Sequence, residues 1–108
     1  MIKHTDRPQR LVRYTTAVLA NANADVETIE LAANSAIAIG ADGDQSYTVR
    51  CTNIDPVDDH EFGYDDYAVT SAGTTIYHRG ITGAVKVSIR NGASNLTPDL
   101  RIYGMSQP

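Results

Sequence analysis

An antiparallel β-sandwich is the fold class predicted by this chain of 108 residues, and three observations predict it. Short segments rich in β-branched and aromatic residues alternate apolar and polar with period two. Clusters of Gly, Asn, Asp and Pro separate them at spacings near ten residues, and no segment reads as a secure helix. The clearest case lies between Ala84 and Tyr103. Val85, Val87 and Ile89 fall on one face and Lys86, Ser88 and Arg90 on the other, which is the pattern of a strand with one wet side. Asn91-Gly92-Ala93-Ser94-Asn95 then supplies turn chemistry, and Leu100-Arg101-Ile102-Tyr103 begins a further strand.

The other elements follow in chain order. Residues 1–10 contain Pro8 and no periodicity, and read as an irregular basic arm ahead of one sandwich domain over residues 11–108. A strand is expected from Leu11, where Leu-Val-Arg-Tyr-Thr-Thr-Ala-Val-Leu is rich in β-formers; a helix over Thr16 to Ala24 competes, because alanine favours it. Val26 to Leu31 and Ser35 to Ile39 are the next strands, the second stopped by Gly40-Ala-Asp42-Gly43-Asp44. Ser46 to Thr52 alternates again with Tyr47, Val49 and Cys51 toward the core, and Pro56 closes that region. Tyr64 to Thr70 and Thr74 to Arg79 complete a set of about eight short strands. That count suits a jelly-roll-like sandwich, with a seven-strand immunoglobulin-like sandwich as the alternative.

Composition limits what such a sandwich can be. Val, Ile, Leu and Phe total 23 residues, and 13 further apolar positions are alanines that bury little area. The core is therefore thin, and association with other copies is expected. A single cysteine excludes an internal disulfide. No apolar run is long enough for a membrane helix and no secretory leader is evident, so a soluble product made in the cytoplasm is expected. The net charge of −4 conceals an asymmetry. Lys3, Arg7, Arg10 and Arg13 against Asp6 give the first 13 residues a net charge of +3, and the remainder carries −7. Such an arm suits the acidic surface of a neighbouring protein, and the acidic remainder disfavours nucleic acid.

Candidate chemistry is sparse. Asp55, Asp58, Asp59, Glu61, Asp65 and Asp66 place six carboxylates in twelve residues with no Lys or Arg among them. Like charges at that density repel unless water or a cation separates them, so this loop is expected to be a docking surface, a calcium site or a solvated loop. The spacing is not that of an EF-hand. His4, His60 and His78 are too scattered for a zinc site and are expected at the surface. Cys51 reads as a small buried hydrophobe, although folding could pair it with His60 or His78 as a nucleophile. Tyr64, Tyr67 and Tyr77 stand near carboxylates, an arrangement that can hold sugars but more commonly packs a sheet. No catalytic residue, cofactor or small-molecule substrate is assigned, and the chain is expected to be non-enzymatic.

Over residues 11–104 the chain resembles the small β-sandwich virion proteins of tailed bacteriophages, in particular capsid decoration or cement proteins. The resemblance rests on Val26-Glu-Thr-Ile-Glu-Leu31 with Ser35-Ala-Ile-Ala-Ile-Gly40, on Tyr47-Thr-Val-Arg-Cys-Thr-Asn53, and on Val85-Lys-Val-Ser-Ile-Arg-Asn91 leading to Leu100-Arg-Ile-Tyr-Gly104. It is one of style, and it transfers no functional residue. It implies a structural protein of the capsid surface that assembles with itself, often as a trimer, binds the major capsid protein and clamps neighbouring capsomers. A carbohydrate- or receptor-binding module of a tail or fibre is the alternative.

Overall fold

The computed structural model describes residues 23–31, 35–93 and 96–103. Within them lie seven strands: β1 (Ala24–Glu30), β2 (Ser35–Gly43), β3 (Tyr47–Ile54), β4 (Glu61–Val69), β5 (Thr74–Gly80), β6 (Ala84–Arg90) and β7 (Pro98–Tyr103). No helix occurs among the described residues. The strands form a four-stranded sheet in the order β1-β6-β3-β4 and a three-stranded sheet in the order β5-β2-β7. Every pairing is antiparallel. The expected all-β antiparallel sandwich is the fold. The arm and the strand expected from Leu11 lie outside the described residues, as does the competing helix except at its end, where Ala24 already opens β1.

The core is the slab between the two sheets. Ile29, Val49, Cys51, Val85, Val87 and Ile89 face it from the larger sheet, and Ile37, Ile39, Ile76, Leu100 and Ile102 face it from the smaller one. The period-two pattern of the sequence selects these residues because alternate side chains of a strand share a face. One glycine sets the local spacing of the layers. A Cβ on Gly80 would lie 2.6 Å from Leu31 Cδ1 and 3.0 Å from Val85 Cγ2, so the end of β5 approaches its neighbours too closely for any side chain.

Two boundaries differ from expectation. β2 runs through Gly40-Ala-Asp to Gly43 instead of turning there. As the central strand it is held on both sides, Ala41 opposite Thr74 and Leu100, and neither glycine of the cluster takes a positive φ. Two-sided pairing overrides the local turn preference. β4 starts at Glu61, so half of the expected acidic loop is strand. The wet side expected for β6 is also largely covered: Ser88 and Ala84 are buried, and only Lys86 and Arg90 reach solvent. β7 opens on Pro98, a tolerated position because the first residue of an edge strand need not donate to a ladder.

The facing assignment has a direct test. Val87 lies opposite Glu27 and Cys51 and is fully buried. Val87→Asp leaves a charge uncompensated in the core, at a cost of roughly 3–5 kcal/mol against a total stability of about 5–15 kcal/mol. Urea and thermal melts are expected to show an unfolded or barely folded chain. A variant that melts like the wild type would contradict this packing.

Candidate functional site

The acidic segment becomes the hairpin that joins β3 to β4, and its carboxylates do not converge. Asp55 Oδ1 accepts from the Val57 amide at 2.8 Å and Asp58 Oδ1 from the His60 amide at 3.0 Å. Both side chains thus act as local turn caps. The Asp55 and Asp59 amides close the loop on the His60 and Asp55 carbonyls at 2.8 Å each, and Asp59 takes a left-handed φ of 61° that Asp tolerates. Pairing register then sorts the acids of β4. Asp66 lies on the outer face opposite Arg50, which grips it with two bonds of 2.8 and 3.1 Å and stacks on the Tyr64 ring at 3.8 Å. Glu61 accepts from Lys86 Nζ at 2.8 Å on that same face. Asp65 points the other way, opposite Cys51 and toward β5.

The repulsion evident in the sequence is therefore relieved by cations from other strands. The Arg50 guanidinium lowers the pKa of the Asp66 carboxyl, and the Glu61 bond raises that of the Lys86 ammonium. Asp25 of β1 joins the same outer face, accepting from Ser88 Oγ at 2.9 Å and lying 3.4 Å from Arg90. These hydrogen bonds, that of Ser88 foremost, hold its carboxyl below the usual range. Of the expected site residues, Glu61 and Asp66 belong to this face, Asp65 lies on the opposite side of the strand, and Asp58 and Asp59 stay in the loop. Lys3, Arg7, Arg10 and Arg13 lie outside the described residues. Among the described residues, no three His, Cys, Asp or Glu side chains gather as metal ligands.

On the inner side of β4 sits a cluster that the sequence did not announce. His78 is only 3 % exposed, against the expectation that it lies at the surface. Its Nε2 is 3.0 Å from Asn53 Oδ1 and its Nδ1 is 3.0 Å from the Tyr67 hydroxyl, with the two rings edge to face. These contacts fit one neutral tautomer, in which Nε2–H donates to Asn53 and Nδ1 accepts from Tyr67. Asp65 Oδ2 stands 3.6 Å from Nδ1. Burial lowers the His78 pKa, and the Asp65 charge opposes that shift. Alternation along β5 could have flagged His78, since it shares the inward face of Ile76. What no local pattern carries is the partner set, drawn from β3 and β4.

Cys51 lies near this cluster, opposite Asp65, but is completely buried. Burial, reinforced by Asp65 and Asp66, pushes its thiol up to about 12, so a thiolate is not available near neutrality. The histidine cannot serve as its base either, because both ring nitrogens are already committed. Cys51 is the small core residue that its position in the alternation predicted.

The hairpin also exposes two large apolar side chains, among them Val57, the most exposed large hydrophobic among the described residues. Val57 is 91 % exposed and Phe62 57 % exposed, with Phe62 edge-on to the His60 ring at 4.7 Å. Thr82 Oγ1 donates to the Ile54 carbonyl at 2.7 Å, which ties the turn between β5 and β6, with its exposed Ile81, to the same end of the sandwich. Comparisons with protein-family models, curated proteins and solved structures find no match for this chain.

The buried histidine makes folding pH-dependent. The fold disfavours the charged imidazole, while the unfolded chain takes up a proton near pH 6.5. Below that pH the unfolded state binds more protons, so stability is expected to fall as pH drops from 6.5 and to level off once folded His78 is also protonated. His78→Gln should remove this part of the slope in urea melts taken between about pH 7 and pH 5. An unchanged slope would assign the titration elsewhere.

Proposed function

We propose that the protein is a non-enzymatic structural component that works by docking on other protein surfaces. The setting favoured by its resemblance is a phage virion, where it binds the major capsid protein shell as a homo-oligomer and clamps neighbouring capsomers. The observation that supports this reading is the end of the sandwich where the β3–β4 hairpin exposes Val57 and Phe62 beside Ile81. Apolar side chains gathered at one end of a small domain suit a protein interface. Among the described residues β4 adds to it as an edge strand of nine residues, paired there only with β3 and with a single buried side chain, Val69. Long open edges invite pairing with another chain unless they are covered.

The charge distribution favours a partner of the same kind. The basic residues Lys3, Arg7, Arg10 and Arg13 can reach an acidic surface of a neighbour, and many such contacts on one lattice gain from multivalency.

Light scattering is expected to find a homo-oligomer, with the trimer as the state implied by resemblance, and mass spectrometry of purified virions to find hundreds of copies. Phe62→Ser combined with Val57→Ser should abolish attachment to shells while changing stability by no more than about 0.5 kcal/mol. Deleting residues 1–9 should weaken attachment, and attachment of the intact chain should weaken as salt rises. A monomer that ignores shells, or a hairpin variant that decorates them as well as the wild type, would overturn the proposal.

A further inference from the structure

The outer face of the three-stranded sheet is a groove. Register places Ala38 of the central strand directly between Tyr77 of β5 and Tyr103 of β7, and places Gly40 between Thr75 and Arg101. The floor therefore rises no higher than a methyl group, while a tyrosine ring stands on each side. Tyr77 is 73 % exposed and Tyr103 42 % exposed. Two strand spacings put their Cα atoms about 10 Å apart, leaving space over Ala38 for a flat ring between the two side chains.

Beyond Gly40 the face holds an open, shallow depression. This cleft of about 550 Å³ lies between the small residues Gly40 and Gly73, with Asp42, Thr75, Asp99 and Arg101 in its walls. That volume falls within the usual range for small-ligand sites, about 300–1,000 Å³. Asp99 is incompletely satisfied. Its Oδ2 meets Arg101 at 3.4 Å, but its Oδ1 is buried with no hydrogen-bond partner among the described residues. That oxygen is shut off from the surface, so the groups open to a ligand are the Asp99 Oδ2 side of the carboxylate, Arg101, Thr75 and Asp42.

We propose that this face binds a neutral saccharide, with one pyranose unit held between Tyr77 and Tyr103 and the next lying in the cleft against Thr75, Asp99 and Arg101. The chemistry selects this class over its competitors. A pyranose offers apolar C–H faces to the rings and hydroxyls that both donate and accept, matching walls that mix carboxylates, a guanidinium and a hydroxyl. The charged side chains of the face, Arg79, Arg101, Asp42 and Asp99, sum to zero, and the two carboxylates disfavour phosphate-bearing ligands. A proline-rich peptide also suits aromatic grooves, but its few N–H groups leave the open carboxylates of Asp42 and Asp99 with little to accept from. The site is independent of the docking end, which lies on the β3–β4 hairpin of the other sheet.

The test titrates the full chain by calorimetry with short oligomers, about two to four units, of glucose, galactose, mannose and N-acetylglucosamine. At least one probe is expected to bind saturably, with an affinity that does not change as salt is raised about tenfold. Tyr77→Ala and Tyr103→Ala should each weaken binding by about tenfold or more with the fold retained by circular dichroism, and the more exposed Tyr77 should give way without lowering the melting temperature. Asp99→Asn should weaken it as well, with folding checked by circular dichroism. Absence of binding by every probe, binding that survives both tyrosine substitutions, or binding of an oligoproline peptide in place of the sugars would overturn the proposal. Shell attachment measured on the same tyrosine variants separates this site from the docking reading, because loss of sugar binding with attachment intact touches only the groove.

Discussion

Contact between the two inner sheet faces is the interaction on which everything else in this molecule depends. Of the connections between consecutive strands, only β3 to β4 stays within one sheet. All the others cross from one layer to the other, so no sheet can complete its hydrogen bonding before the layers meet. Neither layer buries its apolar face alone. The pairings join residues distant in sequence, as with Ala24 and Ile89, which places this domain among those whose folding waits on non-local contacts. The thinness of the core sharpens the constraint, because about seven strands share a slab made mostly of Ile, Val and Leu.

That slab covers β4 only at one end. Val69 is buried in it and Tyr67 packs against it, but from Asp66 back to Glu61 the strand gains little from the core. What holds it is β3 on one side and a layer of charges on the outer face. Arg50 of β3 stands directly opposite Asp66, and Lys86 of β6 reaches past β3 to Glu61. Exposed pairs of this kind contribute little singly, about 0–1 kcal/mol each, so β4 depends mainly on its ladder with β3. A strand held mainly by its ladder and by exposed charges is suited to rearranging against a partner. The buried His78 cluster lies at its base, where Tyr67 and Asp65 of β4 meet β5 through one imidazole.

Much of the fold was legible, and the exceptions share a cause. β3, β5, β6 and the end of β7 follow from alternation, because one face of each meets the core, although the second face of β6 is largely covered and Ser88 on it is buried. Glycine and aspartate favour a turn at Gly40 locally, whereas Gly40 and Ala41 stay in the strand because they are held from both sides by residues 33–61 positions away. The acidic segment was assigned to a loop for the same reason. Its neutralising partners are separated from it by 16 and 25 positions, and a reading along the chain sees only the repulsion. His78 illustrates the limit for the site. Its inward position follows from the alternation of β5, but Asn53 and Tyr67 become its partners only through register between strands and contact between sheets.

The two outer faces solve the same problem in different ways. The four-stranded sheet covers its outer face with its own side chains, pairing Asp25 with Arg90 and Ser88, Asp66 with Arg50, and Glu61 with Lys86. Little on that face is left wanting a partner. The three-stranded sheet does the reverse. Its central strand presents Ala36, Ala38 and Gly40 outward, residues with low β-propensity that add almost nothing to packing on a solvated face. Larger β-branched residues there would favour the strand and fill the space between Tyr77 and Tyr103. Stability alone therefore does not account for a low floor between two exposed aromatic rings. Tyr77, left mostly in water beside an open floor, contributes little to folding, and its apolar area becomes useful only when something covers it. The face with unsatisfied surface is thus the one on which an added ligand gains most, whereas the self-paired face can meet solvent or a protein neighbour without further change.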